Sequence, residues 1–166
     1  MKSGLTIRSD NYADVLDALK KLSGTDVLVG IPAGPPRDDA PLSNAELGYL
    51  QSTGATVEID GETVTLPPRP FLDMGIEDSR DKTTERLKLA AQAALEGNAG
   101  MADKHLEAAG QIAQMATKAV IGAGDRLTPL SEKTLERRRA EGLPGDKPLY
   151  AHGHLLDSIQ YVVRKK

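Results

Sequence analysis

Two histidines, His152 and His154, stand two residues apart, and Asp157 follows three residues later. On a β-strand both imidazoles would face the same side and could share a metal ion, whereas on a helix they would diverge. No glutamate or cysteine stands near them to complete a tetrahedral set of ligands. The chain has no cysteine at all, so disulfides, thiolate nucleophiles and cysteine metal sites are excluded. The pattern favours a structural role for the two histidines over a metal site.

Other catalytic patterns are also weak. The glycine-containing turns 30–34 and 122–124 lack the Lys-Ser/Thr of a P-loop, and neither forms a G-x-G-x-x-G between a strand and a helix. Ser131 and Ser158 could be combined with the histidines into a hydrolase triad. However, the sequence contains no G-x-S-x-G, and each serine has a capping or surface explanation. We expect no enzymatic activity, no cofactor and no metal.

Basic residues cluster on one predicted short helix, where Arg137, Arg138 and Arg139 follow Lys133. Residues 125–166 contain nine Lys or Arg and six Asp or Glu, a net charge of +3, so the remainder carries −6 because the total is −3. This asymmetry favours contact with an acidic face of a neighbouring subunit, or with DNA phosphates. A solvated helix face with intrahelical ion pairs is the third interpretation.

Length and composition limit the possible folds. A chain of 166 residues is predicted to form one domain, residues 1–166. With one phenylalanine and four tyrosines, its core must be aliphatic and rich in alanine. No apolar run approaches 18 residues and no signal-peptide core is present, so we expect a cytosol-like compartment without membrane contact.

Two long helices are predicted at 71–96 and 101–123, where apolar residues recur at helical spacing. The glycines and asparagine of 97–100 interrupt them. Many of the inward-facing residues are alanines, so the two backbones can approach closely. We therefore predict either a helical hairpin or one kinked long helix, packed on a sheet.

Shorter elements complete the predicted α+β fold. Strands 27–31, 55–66 and 159–163 should form one small, mostly antiparallel sheet on the long helices, with Asp60-Gly61 as a hairpin turn. The other predicted elements are a strand at 4–9 and helices at 12–22, 44–51, 132–141 and 152–158. Ser43 and Glu46 have the spacing of a capping box, and Ser131 is a second predicted N-cap.

The loop 32–42 is rich in proline and glycine around Arg37, Asp38 and Asp39. It cannot continue a helix or a central strand. We predict that this loop becomes ordered against a partner and that the three charged residues contribute to the interface. A second such loop is predicted at 142–148.

Two blocks of sequence occur in a familiar order. Residues 44–50 and, after a spacer, Leu-Pro-Pro-Arg-Pro-Phe-Leu at 66–72 lead into the first long helix. Leu-Thr-Pro-Leu-Ser-Glu-Lys-Thr-Leu at 127–135 is followed by the arginine run and by residues 147–150 and 153–161. This order resembles the neck and tail-completion proteins of tailed bacteriophages, including the minor-tail-protein-Z-like, lambdoid neck-protein and Mu-type virion-morphogenesis families.

The resemblance implies a structural virion protein that completes the head-proximal end of the tail or forms part of the head-to-tail connector. It implies a closed homo-oligomeric ring, expected to contain six copies, through which genome DNA passes without sequence-specific binding. The other partners would be neck, tail-terminator or connector proteins. Assembly would take place in the bacterial cytoplasm, and the final location would be the virion.

We predict contacts with neighbouring subunits at Arg69, Phe71, Arg137, Arg138 and Arg139, besides the loop 32–42. The alternative function is a cytosolic nucleic-acid-binding regulator that uses the basic helix 131–141. A hydrolase or metalloenzyme built on the two histidines is the third hypothesis.

Overall fold

The structure is a computed structural model that describes residues 11–38, 41–59, 61–143 and 145–166, with Ile59 described by its backbone alone. Within these ranges the helices are α1 (Tyr12–Ser23), α2 (Asn44–Thr53), α3 (Phe71–Leu95), α4 (Ala99–Ala123), α5 (Glu132–Ala140) and α6 (His154–Asp157). The strands are β1 (Thr25–Gly30), β2 (Ala55–Ile59), β3 (Glu62–Leu66) and β4 (Gln160–Lys165). The predicted α+β class is confirmed, and the predicted strand at 4–9 lies outside the described residues.

The long helices α3 and α4 form a hairpin, one of the two predicted arrangements, and pack through small residues. At Gly75 an added Cβ would lie 2.6 Å from the backbone nitrogen of Thr117, so the two backbones nearly touch. The hydroxyl groups buried in this contact are satisfied within their own helices, since Thr117 donates to the Ala113 carbonyl and Ser79 to that of Gly75, both at 2.9 Å. Five alanines are also buried in the described core: Ala90, Ala93, Ala102, Ala109 and Ala113.

The apolar core lies where the start of α3 meets the end of α4. Phe71, the single phenylalanine of the chain, is 0% exposed there and packs with Ile121 and Ile159. The helix α2 joins this core at Gly48, where an added Cβ would lie 2.6 Å from Ile31 Cδ1. One large ring therefore fills the junction of several elements.

β1 and β4 form an antiparallel ribbon that packs on α4. Gly110 makes room for the ring of Tyr161, whose Cγ would lie 2.9 Å from an added Cβ. The Gln114 side-chain amide also donates to the Ile159 carbonyl at 2.8 Å. The opposite face of the ribbon carries the cross-strand pair Leu28 and Val162, both exposed.

The prediction of a single sheet was wrong, because β2 and β3 pair only with each other among the described strands. This hairpin is held at its base rather than along an edge of the ribbon. Gly54, which has a φ of 77°, connects α2 to this hairpin, and the proline-rich segment 67–70 connects the hairpin to α3. The Arg69 backbone N–H donates to the Gln51 carbonyl at 2.8 Å and closes this base, so the hairpin is tethered to the ends of α2 and α3.

Local sequence signals explain most helix ends. Ser43 and Glu46 form the predicted capping box, and the Ser131 hydroxyl accepts from Thr134 N–H as the predicted cap. The predicted helix 152–158 is reduced to the single turn α6, because Gly153 adopts a left-handed φ of 82° before it. None of the helices in the described ranges combines the length and the hydropathy needed to span a bilayer.

Replacing Gly75 with alanine should lower the free energy of unfolding by about 1–3 kcal/mol, because an extra methyl group overpacks the contact between α3 and α4. Gly122→Ala in α4 is the matched control: its Cβ meets nothing within 4 Å. This control should raise the free energy of unfolding by up to about 1 kcal/mol through helix propensity. Urea unfolding measures both, and equal effects would contradict the close contact.

The capping box should make stability depend on pH. Hydrogen bonds from the Ser43 backbone N–H and then from its hydroxyl lower the pKa of Glu46. A pKa that is lower in the folded chain contributes stability above the unfolded pKa, and this contribution is lost as the pH falls through the folded pKa. Glu46→Gln should therefore lower the urea midpoint at pH 7, and the difference from wild type should begin to shrink near the unfolded pKa of a glutamate, about 4.3, and disappear below the lower pKa of the folded chain.

Glu85→Gln, at an exposed position of α3, is the control for this substitution and should leave the midpoint unchanged. A constant difference between wild type and Glu46→Gln from neutral to acid pH would count against the charged cap.

Candidate interaction site

Arg69 precedes α3 and is buried, with 5% of its surface exposed. Its Nε donates to the Thr128 carbonyl at 2.7 Å and its Nη2 to the Pro129 carbonyl at 3.0 Å. Its Nη1 donates to the side-chain oxygen of Gln51 at 3.1 Å. One guanidinium therefore ties the end of α2 and the start of α3 to the irregular segment before α5.

Arg138, on α5, is the second buried arginine, with 8% of its surface exposed. Its Nη1 donates to the carbonyls of Lys147 at 3.0 Å and Tyr150 at 3.1 Å. The loop after α5 thereby folds back on this helix. Burial lowers the pKa of Arg138, the positive charge of Arg137 lowers it further, and Asp146 has a smaller opposing effect.

The two buried arginines also affect each other. Burial is the main cause of a lowered pKa at Arg69, and the charge of Arg138 is the second cause. Neither arginine forms an ion pair with a carboxylate of the described chain. The acceptors that they contact within the described chain are neutral oxygens.

Three of the predicted interface residues serve the interior of the described fold. Phe71 is fully buried in the core, and the guanidinium groups of Arg69 and Arg138 donate to carbonyls of their own chain. Each of the three therefore has a role inside the fold, and their predicted contacts with neighbouring subunits stay a prediction. The physical reason is that segments distant in the sequence supply acceptors and apolar surroundings that the local sequence does not reveal.

The exposed cations of α5 each lie beside a carboxylate. Arg139 forms an ion pair with Glu132 at 3.2 Å, and Arg137 approaches Glu141 at 4.0 Å. Lys133 pairs with Glu62 of β3. Because these charges are matched locally, the helix is a weaker site for DNA phosphates than its sequence suggests.

The predicted partner loop lines an open groove of about 840 Å³. One wall contains Arg37 and Asp38, and the other contains His152, His154 and Asp157. The two imidazole centroids are 5.7 Å apart. In the described ranges, no three His, Asp or Glu side chains are grouped to hold a metal ion. Asp39 lies outside the described residues.

Asn44 also lines this groove, and its Oδ1 is a buried acceptor without a donor. Sequence reasoning missed the groove because its walls are far apart in the chain. They meet because Gly30, at the end of β1, pairs with Gln160, at the start of β4. Knowledge of the β1–β4 pairing would have predicted the groove, because the segment that follows β1 and the segment that precedes β4 meet at the same end of the ribbon.

Comparisons of the chain with known protein families, with curated proteins and with solved structures each found no match.

Removing the Arg69 guanidinium should destabilise the fold strongly. Arg69→Met keeps much of the side-chain volume but removes the hydrogen bonds to the Thr128 and Pro129 carbonyls, each contributing about 1.5–3 kcal/mol for a charged donor. Arg80→Met is the control, since Arg80 is exposed on α3 beside Glu77 and should change the free energy of unfolding by less than about 1 kcal/mol. Chemical denaturation measures both, and a mild effect at Arg69 would refute the internal role.

Proposed function

We propose that this chain is a structural virion protein of a tailed bacteriophage that completes the head-proximal end of the tail or forms part of the head-to-tail connector. In this role it forms a closed ring around the DNA channel and catalyses no reaction. The observation that carries the proposal is the order of the two sequence blocks, 44–72 and 127–161, that resemble neck and tail-completion proteins.

Contacts between these blocks support the proposal. Arg69 of the first block donates to the Thr128 and Pro129 carbonyls of the second. An added Cβ at Gly48 would lie 3.5 Å from Leu155 Cδ1, so α2 also packs against α6. Residues that are distant in the chain but belong to the resemblance therefore form one body, as expected if the shared feature is a fold.

The distribution of charge also supports a ring. A ring places one face of each subunit against a different face of the next, and such an interface buries roughly 800 Å² per partner. The segment 125–166 carries +3 and the rest of the chain −6, and opposite charges on two copies favour their association. The groove beside the loop 32–38 provides a concave surface for a neighbour.

The alternative of a nucleic-acid-binding regulator has less support. The outer cations of α5 are paired with Glu132, Glu141 and Glu62, and Arg138 is buried. A regulator of this kind should instead present unmatched cations to the phosphates. The overall charge of −3 also opposes non-specific DNA binding.

The experiment is complementation of a phage or prophage that encodes this chain but carries a nonsense codon in its gene. Without the chain, separate heads and tails should accumulate, and the wild-type copy should restore joined particles that contain the protein. The double substitution Arg137→Glu with Arg139→Glu should leave a folded chain that fails to join heads to tails, because it reverses the charge of an outer face. Electron microscopy and infective titre measure the outcome.

Arg80→Glu with Lys82→Glu is the control pair, since it makes the same change of charge on exposed positions of α3. This pair should complement like the wild type. Infective particles formed without the gene, or purified particles that lack the protein, would overturn the proposed function. Normal complementation by the α5 variant would remove α5 from the interface.

A further inference from the structure

Two buried guanidinium groups near the end of α2 and on α5 lack a counter-charge. Arg69 and Arg138 are 5% and 8% exposed, and no carboxylate of the described chain lies within ion-pair distance of either. All the acceptors that they contact are neutral oxygens, those of backbone carbonyls and of one amide side chain. Buried charges in folded proteins are ordinarily paired. The two guanidinium groups without a carboxylate partner therefore indicate an anion supplied from outside the chain.

Arg138 has donors available for such an anion. Its Nη1 is held by two carbonyls, while its Nε and Nη2 donate to no acceptor in the described chain. These two atoms are not among the fully buried polar atoms without a partner, so they reach solvent. Nε and Nη2 form one edge of the planar guanidinium, the arrangement that binds a carboxylate through two parallel hydrogen bonds. The carbonyls fix this edge in place before any ligand arrives.

The charges around Arg138 favour an anion. Arg137 precedes it in the chain, and the charge of Arg138 is felt at Arg69. Asp146 acts in the opposite direction, but it forms no ion pair with Arg138. Arg137 itself lies 4.0 Å from Glu141, so its own charge is partly matched. The charge left unmatched is that of the recessed arginines.

We propose that the edge of Arg138 formed by Nε and Nη2 binds a carboxylate side chain of a second copy of this chain. This inference rests on the proposed function, since a ring places copies side by side. An Asp or Glu side chain can enter a recess that leaves only 8% of an arginine exposed, whereas a DNA phosphate is carried on a bulky backbone. The remainder of each copy outside 125–166 carries a charge of −6 and supplies such carboxylates.

Sedimentation equilibrium of the full chain at low and high chloride concentration tests the proposal. The wild type should self-associate at low salt and dissociate as salt screens the pair. Arg138→Gln should raise the dissociation constant by about 30-fold or more, the change expected when one partner of a recessed charge pair is removed. Arg80→Gln, the control with the same loss of charge at an exposed position of α3, should raise it less than about fivefold.

Circular dichroism and thermal unfolding must show that Arg138→Gln is folded. If it is not, Arg138→Lys replaces it: lysine keeps the charge but lacks the second parallel donor. This variant should remain folded and should also associate more weakly than Arg80→Gln.

Three other results would overturn the proposal. The first is a wild type that stays monomeric, or an Arg138 variant that associates like the wild type. The second is stabilisation by inorganic phosphate at constant ionic strength without any effect on self-association, which would assign the recess to a free anion. The third is salt-sensitive DNA retention that is lost in Arg138→Gln. The particle-complementation experiment is independent of these results, so the proposed function can stand if this inference fails.

Discussion

The fold depends on one contact, the close approach of two long helix backbones. The chain has too few aromatic residues to fill wide gaps between layers, so α3 and α4 leave almost none. Gly75 and Thr117 mark a point where the two backbones nearly touch, and alanines line the contact on both helices. In such a contact many weak dispersion contacts replace a few large buried side chains. The geometry allows little adjustment, because backbone atoms lie opposite each other.

The remaining elements close the ends and one side of this helical pair. Phe71 fills the junction where α3 begins and α4 ends, and the ribbon of β1 and β4 covers α4. Irregular segments complete the structure, and their backbone carbonyls need donors that no ladder of hydrogen bonds supplies. Arg69 and Arg138 supply those donors to the segments 128–129 and 147–150. The guanidinium groups thus supply hydrogen-bond donors to the carbonyls of the loops, as neighbouring strands supply them in a sheet.

Local patterns made much of this fold predictable. The spacing of apolar residues located α3 and α4, and Ser43 with Glu46 identified the start of α2. What could not be predicted depends on contacts between distant parts of the chain. The sequence predicts strands 27–31 and 159–163 in one sheet, as β1 and β4 are, but no local signal reveals that β2 and β3 form a separate sheet.

The arginines show the same limit within the candidate site. Arg69 stands among prolines and Arg138 stands between two other arginines, and both contexts are typical of exposed positions. Their burial arises from carbonyls that only the folded chain brings near. The groove of Arg37 and His154 was hidden for the related reason that it follows from strand pairing.

The order of the paired strands also has a consequence for biosynthesis. As the chain leaves the ribosome, β1 emerges early, while its partner β4 follows only after α2 to α6 have been made. During that interval Val27, Leu28 and Val29 form an unpaired apolar edge, a type of segment prone to wrong association. The hairpin of α3 and α4 depends on contacts between residues close in the sequence and can form first. Its α4 helix then offers β1 a surface to pack on before β4 is made.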